Sequence, residues 1–154
     1  MQIYIADLEA YNAGRLEGIW TDPYVSDIEA AIEDLKENNP DAESFVVHDY
    51  DDFPNLGEIS DWKLIETVAL LIDEHGDAFL AYLEYHDNCL DYALDHAECF
   101  EGVYDDEEDF ARQKYEYDAP EELVEYIDWQ ALGSDRLSNY SAYQEYEGSL
   151  YVWH

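Results

Sequence analysis

Between Phe100 and Asp135 the sequence reads FEGVYDDEEDFARQKYEYDAPEELVEYIDWQALGSD, and its acidic and aromatic residues are interleaved so tightly that the acids must be mounted on a folded scaffold. A run of five acids such as Asp105 to Asp109 ordinarily marks a disordered, self-repelling tail. Here it is followed by Phe110, Tyr115, Tyr117, Leu123, Tyr126, Ile127 and Trp129, which are residues that build cores. The rest of the chain has the same character: 40 Asp and Glu stand against 6 Lys and Arg in 154 residues, a formal charge of −34, beside 47% hydrophobic and 16% aromatic content. That much apolar material offsets chain entropy and excludes disorder of the whole chain. The charge keeps the chain dispersed, opposes compaction by self-repulsion and disfavours binding to nucleic acid or anionic lipid. A partner selected by such a field is basic or cationic.

No apolar run approaches the roughly 18 residues of a membrane span, and MQIYIADLEA lacks the basic-then-apolar order of a signal peptide, so a cytoplasmic protein is expected. Gln2 to Ile5 alternates as a strand, with a turn at Asn12-Ala13-Gly14 and a second strand over Arg15 to Trp20. Ser26-Asp27-Ile28-Glu29 reads as a capping box opening a helix that carries Ile28, Ala31, Ile32 and Leu35 inward and stops at Asn38-Asn39-Pro40. Ser44 to His48 returns as a strand. From Asp61 to Phe100 the period is helical throughout, with Gly76 and Asp87-Asn88 as breaks between three short helices.

Asp105 to Tyr115 reads as a helix with acids in its first turn and Arg112 and Lys114 in its last, as the helix dipole prefers. Pro120 is expected to open another helix that buries Leu123, Tyr126, Ile127 and Ala131 and ends at Gly133. Glu147-Gly148 joins a closing hairpin. The expected architecture is α+β: an elongated array of an N-terminal α/β unit (1–58), a central helical bundle (59–101) and a C-terminal α/β unit (102–154).

Acids recur at helical spacing: Glu29, Glu33 and Glu37 at four; Asp87, Asp91, Asp95 and Glu98 at four, four and three; Glu121, Glu125 and Asp128 at four and three. With Asp105 and Asp109 they are the candidate binding carboxylates. Like charges at these offsets destabilise a helix by a few tenths of a kcal/mol per pair, and ordinary solvated faces mix both signs. Duplex DNA carries one charge per ~1.7 Å of axis, so a charge of −34 corresponds to roughly 58 Å, or about 17 base pairs. A compact globule of this length is only ~38 Å across, so laying out charge at DNA density requires an elongated molecule.

His86, Cys89, His96 and Cys99 superficially resemble a zinc site. On one continuous helix the two His/Cys pairs would lie ~15 Å apart and could not share an ion, and the two cysteines would be too far apart for a disulfide. Asp49 to Asp52 suggests calcium, but Pro54 stands where an EF-hand needs its glycine. No nucleophile elbow, phosphate-cradling glycine loop or H-E-x-x-H is present. Neither an enzyme, a metal site nor a cofactor is expected.

The segments QIYIADLEAYNAGRLEGIW, HGDAFLAYLEYHD and PEELVEYIDWQALGSD, in this order, resemble the characteristic segments of the ArdA-type antirestriction proteins of mobile elements. The resemblance implies a DNA mimic, with the spaced acids as its phosphate stand-ins, that forms an elongated homodimer and occupies the DNA-binding groove of type I restriction-modification enzymes, in their methyltransferase core. It assigns Leu123, Tyr126, Ile127, Asp128, Gly133 and Asp135 to the family's antirestriction motif and places the dimer contact in the same neighbourhood. Arg136 to Tyr140 depart from that pattern, since relatives more often carry further acids and a glycine there. The alternatives left open by composition are a halophilic or cation-buffering protein and an acidic inhibitor of another basic DNA-binding protein.

Overall fold

The structure is a computed structural model and describes residues 1–94 and 96–154, with the backbone alone at 92, 96 and 97. It has an α+β fold whose two sheets are antiparallel and three-stranded, and the chain packs as two compact units, Met1–Glu74 and His75–His154.

In the first unit, β1 (Gln2–Asp7), a short α1 (Leu8–Asn12), β2 (Gly18–Thr21), α2 (Val25–Asn38), β3 (Phe45–Asp51) and α3 (Trp62–His75) follow in order. β1 is the central strand of the order β2-β1-β3. Its alternation decides which face is buried: Ile3 and Ile5 are fully buried against Ile28, Ala31, Val47 and Ile65. The second strand is shorter than expected and starts at Gly18, because the left-handed turn at Gly14 and the Arg15–Glu17 segment lead into it.

The Ser26 capping box does not form. Tyr24 is the residue before the first turn of α2, and the Ser26 hydroxyl is 3.4 Å from the adjacent Asp27 carboxylate. The open Val25 N–H instead donates to Glu66 Oε1 of α3 at 3.0 Å. A carboxylate at a helix amino terminus is favoured wherever in the chain it comes from, so a tertiary contact replaced the local one. The Tyr24 hydroxyl adds a bond to Asp73 at 2.6 Å, tying the start of α2 to α3 a second time.

The second unit contains α4 (Asp77–Tyr85), two single turns, α5 (Leu90–Ala93) and α6 (His96–Cys99), then β4 (Phe100–Tyr104), α7 (Glu107–Tyr115), α8 (Trp129–Leu137) and the hairpin β5 (Ala142–Tyr146) and β6 (Ser149–Trp153). The helices of 59–101 are thus shared between the units, α3 with the first and α4 to α6 with the second. The hairpin turns through Glu147 and Gly148, both at positive φ, as a tight two-residue turn requires. β6 is central in the order β4-β6-β5 and buried on both faces. Leu150 and Val152 pack with Phe110 and Leu137 of α7 and α8, while Tyr151 and Trp153 pack with Ala78, Ala81 and Tyr82 of α4.

The break expected at Asp87-Asn88 is present: both residues take left-handed φ, which Asp and Asn tolerate better than other side chains, and the Asn88 N–H closes on the Leu83 carbonyl at 2.8 Å. Cys89 follows in that turn, exposed, and both cysteines are free. Beyond the break, the expected third helix is two single turns, α5 and α6. The helix expected from Pro120 is absent. Two 3₁₀ turns (Glu116–Asp118 and Val124–Tyr126) occupy the stretch, and α8 starts at Trp129 with Asp128 as its cap. The Val124 carbonyl accepts from the Trp129 indole at 3.3 Å and from the Ile127 N–H at 3.4 Å, so a continuing α-helix has lost its acceptor.

Candidate functional site

The structure presents a carboxylate surface, and α2 is its most regular part. Glu29, Glu33 and Glu37 are exposed on this helix, opposite Ile28 and Ala31. Four residues of helix rise ~6 Å, whereas one DNA strand advances 3.4 Å per phosphate. A single stripe therefore reaches only about half the charge density of one strand, and acids from other elements must supply the rest.

The other predicted stand-ins lie in different settings. Asp87, Asp91 and Glu98 are exposed, but they lie on a turn and on two single-turn helices instead of one helical face. Asp95 lies outside the described residues. Glu121, Glu125 and Asp128 are exposed, yet their four-and-three spacing spans 3₁₀ turns and a cap instead of one helix.

Asp105 is exposed, while Asp109 is half-buried and occupied, accepting from the Asp105 N–H at 3.1 Å and from Gln113 Nε2 at 2.8 Å. The five-acid run is a helix start: Asp106 accepts from the Asp109 N–H at 2.8 Å, and Glu107, Glu108 and Asp109 fill the first turn of α7. That role was legible in the sequence.

Several of the cations are committed elsewhere. Arg112 bonds Glu108 at 2.9 Å and Glu116 at 3.4 Å and lies 5.2 Å from the Trp129 ring centroid. The hydrogen bond to Glu108 holds its guanidinium above the ordinary arginine range. Lys114 and His154 both reach Glu101, and Arg15 reaches Glu17. Among the described residues, none of Glu29, Glu33, Glu37, Asp87, Asp91, Glu98, Asp105, Glu121, Glu125 or Asp128 has an ion-pair partner. The negative field reaches the phenols: burial, then the Asp77 and Glu147 charges, push the Tyr146 and Tyr151 hydroxyls up. Sequence spacing missed the exposed acids off the helices, Asp49 and Asp51 on β3 and Glu145 and Glu147 on the hairpin. Alternation along the strands was the available signal.

The motif residues divide into packing and exposed groups. Gly133 is buried inside α8, not at its end. A Cβ there would meet the Glu107 carbonyl carbon at 2.7 Å with its oxygen nearer still, so only glycine lets α8 approach α7 this closely. The Glu107 side chain returns across the same contact to Gln130 and to the Ser134 hydroxyl.

Asp128 caps α8 by accepting from the Ala131 N–H at 3.0 Å. Leu123 and Tyr126, expected inside, are 50% and 83% exposed, and Ala131 is exposed as well. The 3₁₀ turns aim these side chains away from the core. Ile127 is half-buried and lines a cavity of about 260 Å³ with Tyr115, Trp129, Leu132 and Arg136. Asp135 is exposed, and its carbonyl accepts from the Ser138 hydroxyl at 2.6 Å.

Among the described residues no group of three or more His, Cys, Asp or Glu is arranged to hold a metal, and no helix is long and apolar enough to cross a membrane. The His96 side chain, part of the H-x2-C-x6-H-x2-C pattern, lies outside them. No curated protein matches the sequence. The family model of the antirestriction protein ArdA matches residues 3–149, nearly the whole chain. A folded scaffold carrying exposed, unpaired carboxylates thus belongs to the ArdA family of antirestriction proteins.

Proposed function

We propose that this protein opposes restriction by imitating DNA: its carboxylates occupy the DNA-binding groove of a type I restriction-modification enzyme, in the methyltransferase core, and exclude duplex from it. One observation carries this reading. Among the described residues, the exposed Glu29, Glu33 and Glu37 of α2 have no ion-pair partner, so their charge is available to a partner instead of being neutralised internally. The protein acts by occupancy and performs no reaction, so no cofactor is assigned. It works in the cytoplasm, where the enzyme meets incoming DNA.

The working form is a homodimer, which doubles the length of duplex that can be imitated. Leu123 and Tyr126, apolar and exposed within the antirestriction motif, supply the contact surface. The two copies lie end to end as an extended particle. Its test is a mixture of the protein, a type I methyltransferase and a labelled duplex, resolved by size-exclusion chromatography at ~0.15 M salt. The label should leave the enzyme fraction and the protein should enter it. Label that stays with the enzyme at a large excess of the protein contradicts the proposal.

A further inference from the structure

The outward face of the first sheet carries an arrangement that summed charge alone does not require. Residues directly opposite one another in an antiparallel pair share a face. Tyr4 is opposite Trp20 on β2 and Asp49 on β3, so Trp20, Tyr4 and Asp49 form one row across the sheet. Gln2 opposite Asp51 continues the same face, whereas buried Ile3 and Ile5 point to the other. Trp20 is 42% exposed, and Asp49 and Asp51 are exposed. The Tyr4 and Trp20 ring centroids are 5.3 Å apart with planes at 54°, an open wedge. Gly18 fixes one side of it: a Cβ at that position would stand 2.6 Å from Tyr4 Cζ, so the tyrosine ring lies over the glycine.

Aromatic faces and carboxylates attract the same ligand. A guanidinium is planar, stacks on aromatic rings and meets a carboxylate with two parallel N–H donors, while an ammonium is a strongly hydrated point charge. We infer that the Trp20–Tyr4–Asp49 row, with Asp51 beside it, seats an arginine side chain of the partner enzyme's DNA-binding groove. The inference rests on the mimicry reading above and deepens it: the seat adds a directional contact to a field that is otherwise summed over many acids. A second copy of this chain is a poor occupant, since it brings 6 Lys and Arg against 40 acids, and nucleic acid is repelled by the same balance. An arginine-bearing protein surface is complementary in both charge and shape.

Trp20→Ala leaves net charge unchanged, which separates the seat from the field. In duplex displacement from a type I methyltransferase, W20A should lose roughly three- to thirtyfold in potency, the range of a partly desolvated cation–π contact, with its salt dependence unaltered. Trp20→Phe should retain most of the potency, and a melting curve checks that each variant is folded. Equal potency of W20A and the parent protein overturns the seat and leaves mimicry standing. Failure of the parent protein to displace duplex overturns mimicry.

The seat then has its own readout, the indole N–H resonance of Trp20, assigned by its loss in W20F. A capped arginine tripeptide should shift it, and the lysine and citrulline counterparts should shift it much less. Equal shifts from arginine and lysine peptides, or none from either, overturn the seat.

Discussion

Gly133→Ala separates two opposing effects. In an exposed helix interior, alanine is favoured over glycine by about 1 kcal/mol, so propensity alone makes G133A stabilising. Gly133, however, faces backbone: the new methyl would lie 2.7 Å from the Glu107 carbonyl carbon and closer to its oxygen. A flexible side chain could move aside, but Glu107 is in the first turn of α7, held by the Asp106 cap and followed by fully buried Phe110. Relief requires α8 to move off α7, with Leu137 leaving its place against Phe110 and Val152.

Overpacking of this kind costs about 1–3 kcal/mol, and more where backbone must shift. Because the atoms met are backbone, the upper end of about 3 kcal/mol applies; after the propensity gain of about 1 kcal/mol the net loss is about 2 kcal/mol, which in a chain of this length lowers Tm by roughly 4–8 °C. Thermal unfolding followed by near-UV circular dichroism, which reports the packing of Trp129 and Trp153, measures it. A Tm equal to or above that of the parent protein refutes the close-approach reading of Gly133.

Asp7 is 2% exposed; burial alone would raise its carboxyl, but hydrogen bonds from the Ala10 N–H at 3.1 Å and Asn39 Nδ2 at 2.6 Å hold it below the usual carboxylate range. A depressed folded-state value contributes stability above the unfolded value near 3.8 and loses it as pH falls through the folded one. Asp7→Asn should therefore cost about 1–3 kcal/mol at pH 7, and the difference in urea midpoints should shrink below about pH 4; a gap that stays constant down to pH 2 speaks against the charged-carboxylate account. Raising salt from 0.01 to 0.15 M shortens the screening length from ~30 to ~8 Å, so Tm should rise with added NaCl, and a flat or falling Tm rejects self-repulsion as a significant opposing force. Neutralising Glu29, Glu33 or Glu37 singly should weaken duplex displacement by less than about 1 kcal/mol each, as exposed charge pairs do, and the triple variant should lose more than any single one. A single substitution that abolished displacement would replace the summed field with a specific contact.

Much of the fold was legible where one local rule acts alone. Alternation in Gln2 to Ile5 placed Ile3 and Ile5 inside, Glu147-Gly148 marked the hairpin, and acids preceding Phe110 with Arg112 and Lys114 following marked α7. The rest depended on partners distant in sequence. Glu66 took the amino terminus of α2 from a plausible local cap, and the Trp129 indole took the Val124 carbonyl that a helix from Pro120 needed. In both cases helical periodicity was present and a tertiary hydrogen bond decided against the local reading.

The candidate site was legible in kind but not in arrangement. That acids far outnumber cations follows from composition, and α2 places Glu29, Glu33 and Glu37 as their spacing predicts. Asp87 lies in a left-handed turn, and Asp91 and Glu98 lie on two separate single-turn helices, which their helical spacing did not show. The row of Trp20, Tyr4 and Asp49 needs the strand register, which no spacing within one segment reveals.

The central claim is that protein and duplex compete for one groove, and equilibrium competition tests it most directly. Anisotropy of a labelled duplex on a type I methyltransferase should give an apparent Kd that rises in proportion to the concentration of this protein without reaching a plateau, and no complex should contain all three components. A plateau in the apparent Kd, or a complex of enzyme, duplex and this protein together, would contradict it.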